Sequence, residues 1–265
     1  MDPTGLREVD YREENGVAWV TLQRPDTLNA LSSGMRQELR RIWHALRTDD
    51  AVRCVVLSGA GDKSFCTGID RSEILGDDEA YDPYAYDDLG AEIGPKSNGL
   101  WKPVIAAING MACGGAFYLL GESEFVIAAE HATFFDPHVT YGMAAVYEPI
   151  FLSGRMAFGD LMRMSLLGLG ERLSAASARE SGLVSQVVPA DQLHEAARWA
   201  AETIAANPSA AVQTTVRSLW AARRLGVPGA IDMGNVLLAA GNDPAMLQAG
   251  QDRFRGQSRP ESKTR

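Results

Sequence analysis

Residues 102–117 read KPVIAAINGMACGGAF, and this stretch decides the fold. The run PVIAAI at 103–108 is short and apolar and is closed by Asn109-Gly110, which predicts a buried strand ending in a tight turn. The remainder carries Gly110, Gly114 and Gly115 ahead of an apolar continuation. Glycine lacks a Cβ, so the backbone can approach a ligand, and a helix starting near Gly114 would add its positive end. The segment 109–117 therefore predicts backbone N–H groups offered to a small carbonyl-bearing substrate inside an α/β domain.

Working outward, VAWVTL at 17–22 and VRCVVL at 52–57 are two further apolar strands. The first ends at Arg24-Pro25, and the second empties into Ser58-Gly59-Ala60-Gly61-Asp62. Strand, glycine loop and helix recurring in this order predict parallel pairing with crossovers, which puts the glycine loops at the strand carboxyl ends. Between the first two strands, Ser32 or Ser33 can cap a helix carrying Met35, Leu39, Ile42, Trp43 and Leu46 as a one-sided apolar stripe. A second loop, Phe65-Cys66-Thr67-Gly68-Ile69-Asp70, also places glycine where backbone must come close to something. One N–H group from each loop would make a pair of donors for a developing oxyanion; a pair of plain strand-to-helix turns is the competing reading.

Composition excludes several classes of function. With 265 residues, 46% hydrophobic and 22% charged, the chain can bury a substantial core. A formal net charge of -9 does not suit a surface that neutralises nucleic-acid phosphates. Cys54, Cys66 and Cys113 have no metal-ligand spacing and cannot all pair, which predicts a reducing, cytoplasmic setting and no metal. The charged start MDPTGLREVDYREENG and the lack of a long apolar run predict a protein with neither targeting signal nor membrane span. Glycine loops without G-x-G-x-x-G or G-x-x-x-x-G-K-[ST] make a dinucleotide or a nucleoside triphosphate a poor fit.

Residues 77–88, DDEAYDPYAYDD, read as a solvated loop or a lid. Beyond Ser174 the pattern turns helical over 193–206, 210–225, 229–240 and 244–254, interrupted by Asn207-Pro208, Gly226-Val227-Pro228 and Gly241-Asn242. The expected division is a core at 1–190, a helical region at 191–255 and a polar tail at 256–265.

The motifs at 17–31 (VAWVTLQRPDTLNAL), 52–74 (the strand, then SGAGDKSFCTGIDRSEI), 102–117 and 171–188 (ERLSAASARESGLVSQVV), followed by the helical tail, resemble the enoyl-CoA hydratase/isomerase, or crotonase, superfamily over nearly the whole chain. The resemblance implies an α/β spiral of ββα units with a C-terminal helical region used to form a trimer or a dimer of trimers. It implies an acyl-CoA thioester substrate, coenzyme A entering as part of that substrate and no permanently bound cofactor. Position by position it implies oxyanion donors at Ile69 and Gly115 and coenzyme A contacts at Asp26, Thr27, Leu28 and Ala30, with Asp70 and Arg71 beside the adenine. Asp26 stands where the family often has lysine. Arg253 and Phe254 resemble a late helix that covers the subunit seam or reaches a neighbour's coenzyme A.

Hydratases of this superfamily use two glutamates that share an attacking water and handle its protons. Here Tyr118 and His138 occupy those positions, which argues against efficient syn-hydration. His138 can serve as a base near neutrality or fill space as a hydrogen-bonded side chain. Tyr118 can donate to an oxyanion or pack in the core. Glu148 is the nearest carboxylate in sequence to an aspartate slot held by Val146; it reads as a second catalytic group or as a solvated first-turn acid. Asp136 can orient His138 or cap the turn. Three activities follow as expectations: an acyl-CoA enzyme, a lyase or isomerase, that stabilises a thioester enolate; a C–C bond hydrolase acting on a β-diketone through His138; and a catalytically silent acyl-CoA binder.

Overall fold

In the computed structural model, Asn15 and Gly16 both take positive φ (52° and 76°), the conformation that lets a two-residue turn follow the twist of its strands. They join β1 (Val9–Glu14) to β2 (Val17–Leu22) as an antiparallel hairpin in register from Val9↔Leu22 to Glu14↔Val17. The charged β1 was not among the expected strands, because its alternation is masked by four acidic or basic side chains in six residues. The structure describes residues 5–73, 88, 90–91, 93–252, 255 and 262–264. The acidic stretch 77–88, apart from Asp88, and residues Arg253 and Phe254 lie outside them.

Two sheets are built in alternation. The strands β3 (Cys54–Gly59), β4 (Ser64–Cys66), β5 (Val104–Ile108), β6 (Met111–Cys113), β7 (Phe125–Ala129), β8 (Thr133–Phe135), β9 (Leu173–Ser174) and β10 (Gln186–Val188) follow in chain order. The large sheet runs β1-β2-β3-β5-β7-β10 and the small one β4-β6-β8-β9. From β2 to β10 the large sheet is parallel, as expected, and β4, β6 and β8 repeat the order of β3, β5 and β7 in the second layer. Two of the steps between layers, β3 to β4 and β5 to β6, are turns too tight for a side chain at their glycine. A Cβ on Gly59 would lie 2.5 Å from the Phe65 carbonyl oxygen, and one on Gly110 would lie 2.5 Å from the Lys63 backbone. Asn109 ties two of these turns together, accepting from Gly59 N–H (3.1 Å) and donating to the carbonyls of Gly61 and Ser64 (2.8 and 3.0 Å).

The large sheet is covered on both faces, so its strands read as continuous apolar runs rather than alternating ones. Ala18, Val20, Leu22, Val55, Leu57, Val104, Ala106 and Ile108 face the main core, which they share with helix α1 (Ser33–Leu46) and the small sheet. Ser32 caps α1, accepting from Met35 N–H at 2.9 Å, and the stripe Met35, Leu39, Ile42, Trp43 and Leu46 is buried as the spacing predicts. Val17, Trp19, Cys54, Val56, Ile105, Ala107 and Ile127 point the other way.

Helices α2 (Ala116–Glu122), α3 (Tyr147–Leu152), α4 (Phe158–Leu167), α5 (Ala175–Glu180) and α6 (Leu193–Ala205) complete the first of two contact units, residues 1–205. The sequence pattern groups α6 with the later helices, yet its Leu193, Ala197, Ala201 and Ala205 lie on the second face of the sheet, where small side chains allow close approach. The second unit, residues 206–265, contains α7 (Ser209–Asp232), α8 (Gly234–Gly241) and α9 (Pro244–Asp252). Its α7 breaks at Gly226 (φ 72°, ψ 166°), just before Pro228, at the expected interruption. Among the described residues no helix is long and apolar enough to cross a membrane.

Candidate active site

The two glycine loops meet. Gly68 takes φ +89° after β4, and the next residues lie beside the chain that leaves the first strand pair: Leu31 N–H donates to Gly68 O (2.8 Å) and Asp70 N–H to Leu31 O (3.0 Å). Ile69 is bridged in parallel to Leu31, which turns its own N–H away from that partner. On the other side stands Gly115, which follows Gly114 (φ +53°) and begins α2. A Cβ on Gly115 would lie 3.1 Å from Ile69 N, and a Cβ on Gly68 would lie 2.8 Å from Gly115 N. The amides of Ile69 and Gly115 thus converge, and among the described residues neither has an acceptor. Such paired donors bind an oxyanion through backbone alone.

Tyr118, one turn into α2, is buried. Its hydroxyl donates to Asp88 Oδ1 (2.7 Å) and its ring lies 5.2 Å from that of Phe151 at a tilt of 55°. The space above the ring is so small that a Cβ on Gly90 would come within 2.1 Å of it.

His138 comes from the end of β8. Pro137 cannot extend the strand and starts a 3-10 turn, His138–Tyr141, that Gly142 closes at φ +75°. Asp136 is fully buried, and its Oδ1 accepts from both His138 N–H (3.1 Å) and His138 Nδ1 (2.5 Å). The imidazole edge faces the second glycine loop, with Cε1 3.7 Å from the place of a Gly114 Cβ. Its other nitrogen, Nε2, is 3.4 Å from Glu148 Oε1 on α3. Glu148 is only 6% exposed, so it is not the solvated first-turn acid that its place before Pro149 suggests. Packing of α3 against α2 turns it inward.

Two protons are held more tightly than usual here. The hydrogen bond from Asp136, helped by the charges of Asp136 and Glu148, raises the His138 pKa against the opposing effect of burial. Burial raises that of Glu148, with the charges of Asp136 and Asp88 adding to it, although His138 pulls the other way.

The residues expected to hold coenzyme A form one strand-end loop. Asp26 and Thr27 lie in the 3-10 turn Pro25–Thr27, Leu28 and Asn29 take positive φ (55° and 56°), and Ala30 follows. Sequence reasoning missed the two side chains that fix this loop. Asn29 is buried, accepts from Arg24 N–H (3.0 Å) and donates to Ala60 O and Ser64 O (2.9 and 3.0 Å). Arg24 donates to Ala30 O (2.7 Å) and Asp70 Oδ2 (2.9 Å) and pairs with Glu8 (3.2 Å). The only signal available was an Arg-Pro pair at a strand end. Asp70 accepts from Ser72, and that bond, with Arg24, lowers its pKa. The Arg71 guanidinium stacks 4.3 Å from the Tyr141 ring, linking the first glycine loop to the turn that carries His138. Among the described residues no cluster could hold a metal ion, and the three cysteines are free and buried.

Comparison with known proteins agrees with this architecture. The chain is 38% identical over 207 residues to (E)-benzylidenesuccinyl-CoA hydratase of Thauera aromatica, covering 78% of this chain and 80% of that one. It is 34% identical over 203 residues to 1,2-epoxyphenylacetyl-CoA isomerase of Escherichia coli (strain K12), covering 74% and 75%. The crystal structure of an enoyl-CoA hydratase/isomerase from Mycobacterium paratuberculosis superposes with a TM-score of 0.86 at 32% identity, over 98% of this chain and all of the other (100%). Residues 12–263 match the family described as enoyl-CoA hydratase/isomerase. With a matching spiral of paired strands and converging glycine loops, the chain belongs to the enoyl-CoA hydratase/isomerase family.

Proposed function

We propose that this protein moves a proton at the carbon next to the carbonyl of an acyl-CoA thioester, as a hydro-lyase or isomerase, with His138 and Glu148 as the proton-carrying pair. The observation that carries this reading is the 3.4 Å approach of His138 Nε2 to Glu148 Oε1 beside the glycine loops. The amides of Ile69 and Gly115 would hold the thioester oxygen as charge develops on it, which makes the adjacent C–H acidic. His138, neutral, would take the proton, and Glu148, whose proton affinity burial raises, would return one or manage water. A histidine–glutamate pair on the turn and on α3 would thereby stand in for the two glutamates absent from Tyr118 and His138. Tyr118 would act indirectly, since its hydroxyl is engaged by Asp88.

The names of the relatives, a hydratase and an isomerase of CoA thioesters, support this reading over a diketone hydrolase or a silent binder. Coenzyme A would lie along Asp26, Thr27, Leu28 and Ala30, with Asp70 and Arg71 at its adenine end. Assembly into a trimer or dimer of trimers belongs to the same reading, supported by Leu219, Leu225, Ile231 and Val236 exposed on the second unit; light scattering tests it. Buried free cysteines support a cytoplasmic setting.

The deciding experiment offers straight-chain and aryl 2-enoyl-CoA thioesters in deuterated buffer, following loss of the conjugated absorbance and deuterium entering the α-carbon. Turnover or exchange that drops about a hundredfold or more in His138→Gln is expected. Wild-type protein that neither converts nor exchanges any of them, or a variant as active as wild type, overturns the reading.

A further inference from the structure

Asp136 has no place in the proton transfers just described, yet it is buried to 0% exposure and aims one oxygen at His138 twice. The bond to the backbone N–H is an ordinary turn cap. The bond to Nδ1 is a different matter. A carboxylate only accepts, so the Nδ1 proton must belong to the histidine, which leaves Nε2 as the nitrogen with a free lone pair. The second carboxylate oxygen, Oδ2, is buried without a hydrogen-bond partner among the described residues. The negative charge of Asp136 is therefore stabilised mainly through His138.

We propose that Asp136 is the positioning residue of this site: it fixes the proton of His138 on Nδ1, turns Nε2 toward Glu148 and the glycine loops, and stabilises the imidazolium formed when Nε2 accepts a proton. This rests on the reading of His138 as the base. Among the described residues the charged and titratable groups around the imidazole are few. Asp136 lies on its own turn and Glu148 faces it from α3; Asp88 acts on Glu148. Behind Asp136, the Cys113 thiol is pushed by burial up to about 12 and stays neutral, and Arg172 acts on that thiol from the side of Phe135. Among the described residues Asp136 alone has a short bond to Nδ1, so the tautomer depends on it.

Asp136→Asn separates the two jobs, because an amide oxygen can still cap the backbone N–H but brings no charge. The chain has four histidines, so histidine labelled with nitrogen-15 gives few signals and His138→Gln assigns the one in question. Expected in wild type is an Nδ1–H tautomer with a titration midpoint above the ordinary 6.5. Expected in Asp136→Asn is a mixed or inverted tautomer, a midpoint lower by about one pH unit or more, and kcat/KM down about tenfold or more with KM for the thioester unchanged. A wild-type Nε2–H tautomer overturns the proposal even if the variant does not fold. So does a variant with wild-type tautomer and midpoint, which would leave Asp136 as a turn cap only. The nitrogen signals report on Asp136 whether or not any thioester is turned over, whereas an inactive wild type or a fully active His138→Gln would sink the assigned reaction instead.

Discussion

Gly115 and Ile69 stand so close that a methyl group on Gly115 would reach to 3.1 Å from the Ile69 amide nitrogen and 3.3 Å from its Cγ1. The two amides that converge there come from loops with different demands on their glycines. Gly115 has φ -54°, which any residue adopts, whereas Gly68 is at φ +89° with the Gly115 nitrogen in the way of any Cβ.

Gly115→Ala should therefore fold with a stability change of about 1 kcal/mol or less, while kcat/KM falls about tenfold or more because the donors are pushed apart. Gly68→Ala should lose about 2 kcal/mol or more through backbone strain and collision. Steady-state kinetics and urea unfolding check both. Full activity in both variants would mean that these amides do not hold the thioester oxygen.

Activity should rise with pH. A base must be neutral to work, and His138 holds its proton above the ordinary 6.5, so the acidic limb of kcat/KM should have its midpoint above that value. Glu148→Gln removes one of the charges that raise it and should move the midpoint down. A profile that falls over the same range would make the imidazolium, not the imidazole, the active form.

The same two groups set a sign for stability. Both folded-state pKa values are raised, so each contributes stability present below its unfolded value and lost as pH climbs through the folded one. For Glu148 the loss begins near the ordinary 4.5. Relative to wild type, Glu148→Gln should gain stability as pH rises above the ordinary 4.5, since glutamine has no charge to bury. Denaturant midpoints across that range measure it, and a difference that does not change with pH refutes it.

Tyr118→Phe should cost about 1 kcal/mol, the worth of the hydroxyl's bond to Asp88, and leave kcat within a few-fold. The ring, buried beside Phe151 and under Gly90, stays in place. A kcat reduced a hundredfold with stability intact would instead assign the hydroxyl to the chemistry.

The sequence alone determined much of the frame. Apolar runs at 17–22, 52–57 and 103–108, the stripe of α1 and the punctuation at Asn207-Pro208 and Gly226-Val227-Pro228 are local patterns, and local sterics and solvation fix their meaning. The two glycine loops were legible for the same reason: only glycine suits φ +89° at Gly68 and the turn at Gly110. The charged strand β1 and the three-residue strands of the small sheet were not, since their pairing is supplied by neighbours rather than by their own composition. Only the tertiary structure decided the site's chemistry. Whether Glu148 is solvated or buried depends on how α3 packs, whether Asp136 caps or grips His138 depends on the turn after Pro137, and Tyr118 meets Asp88 across separate segments. A side chain's proton affinity is set by what surrounds it in space, and no spacing along the chain carries that information.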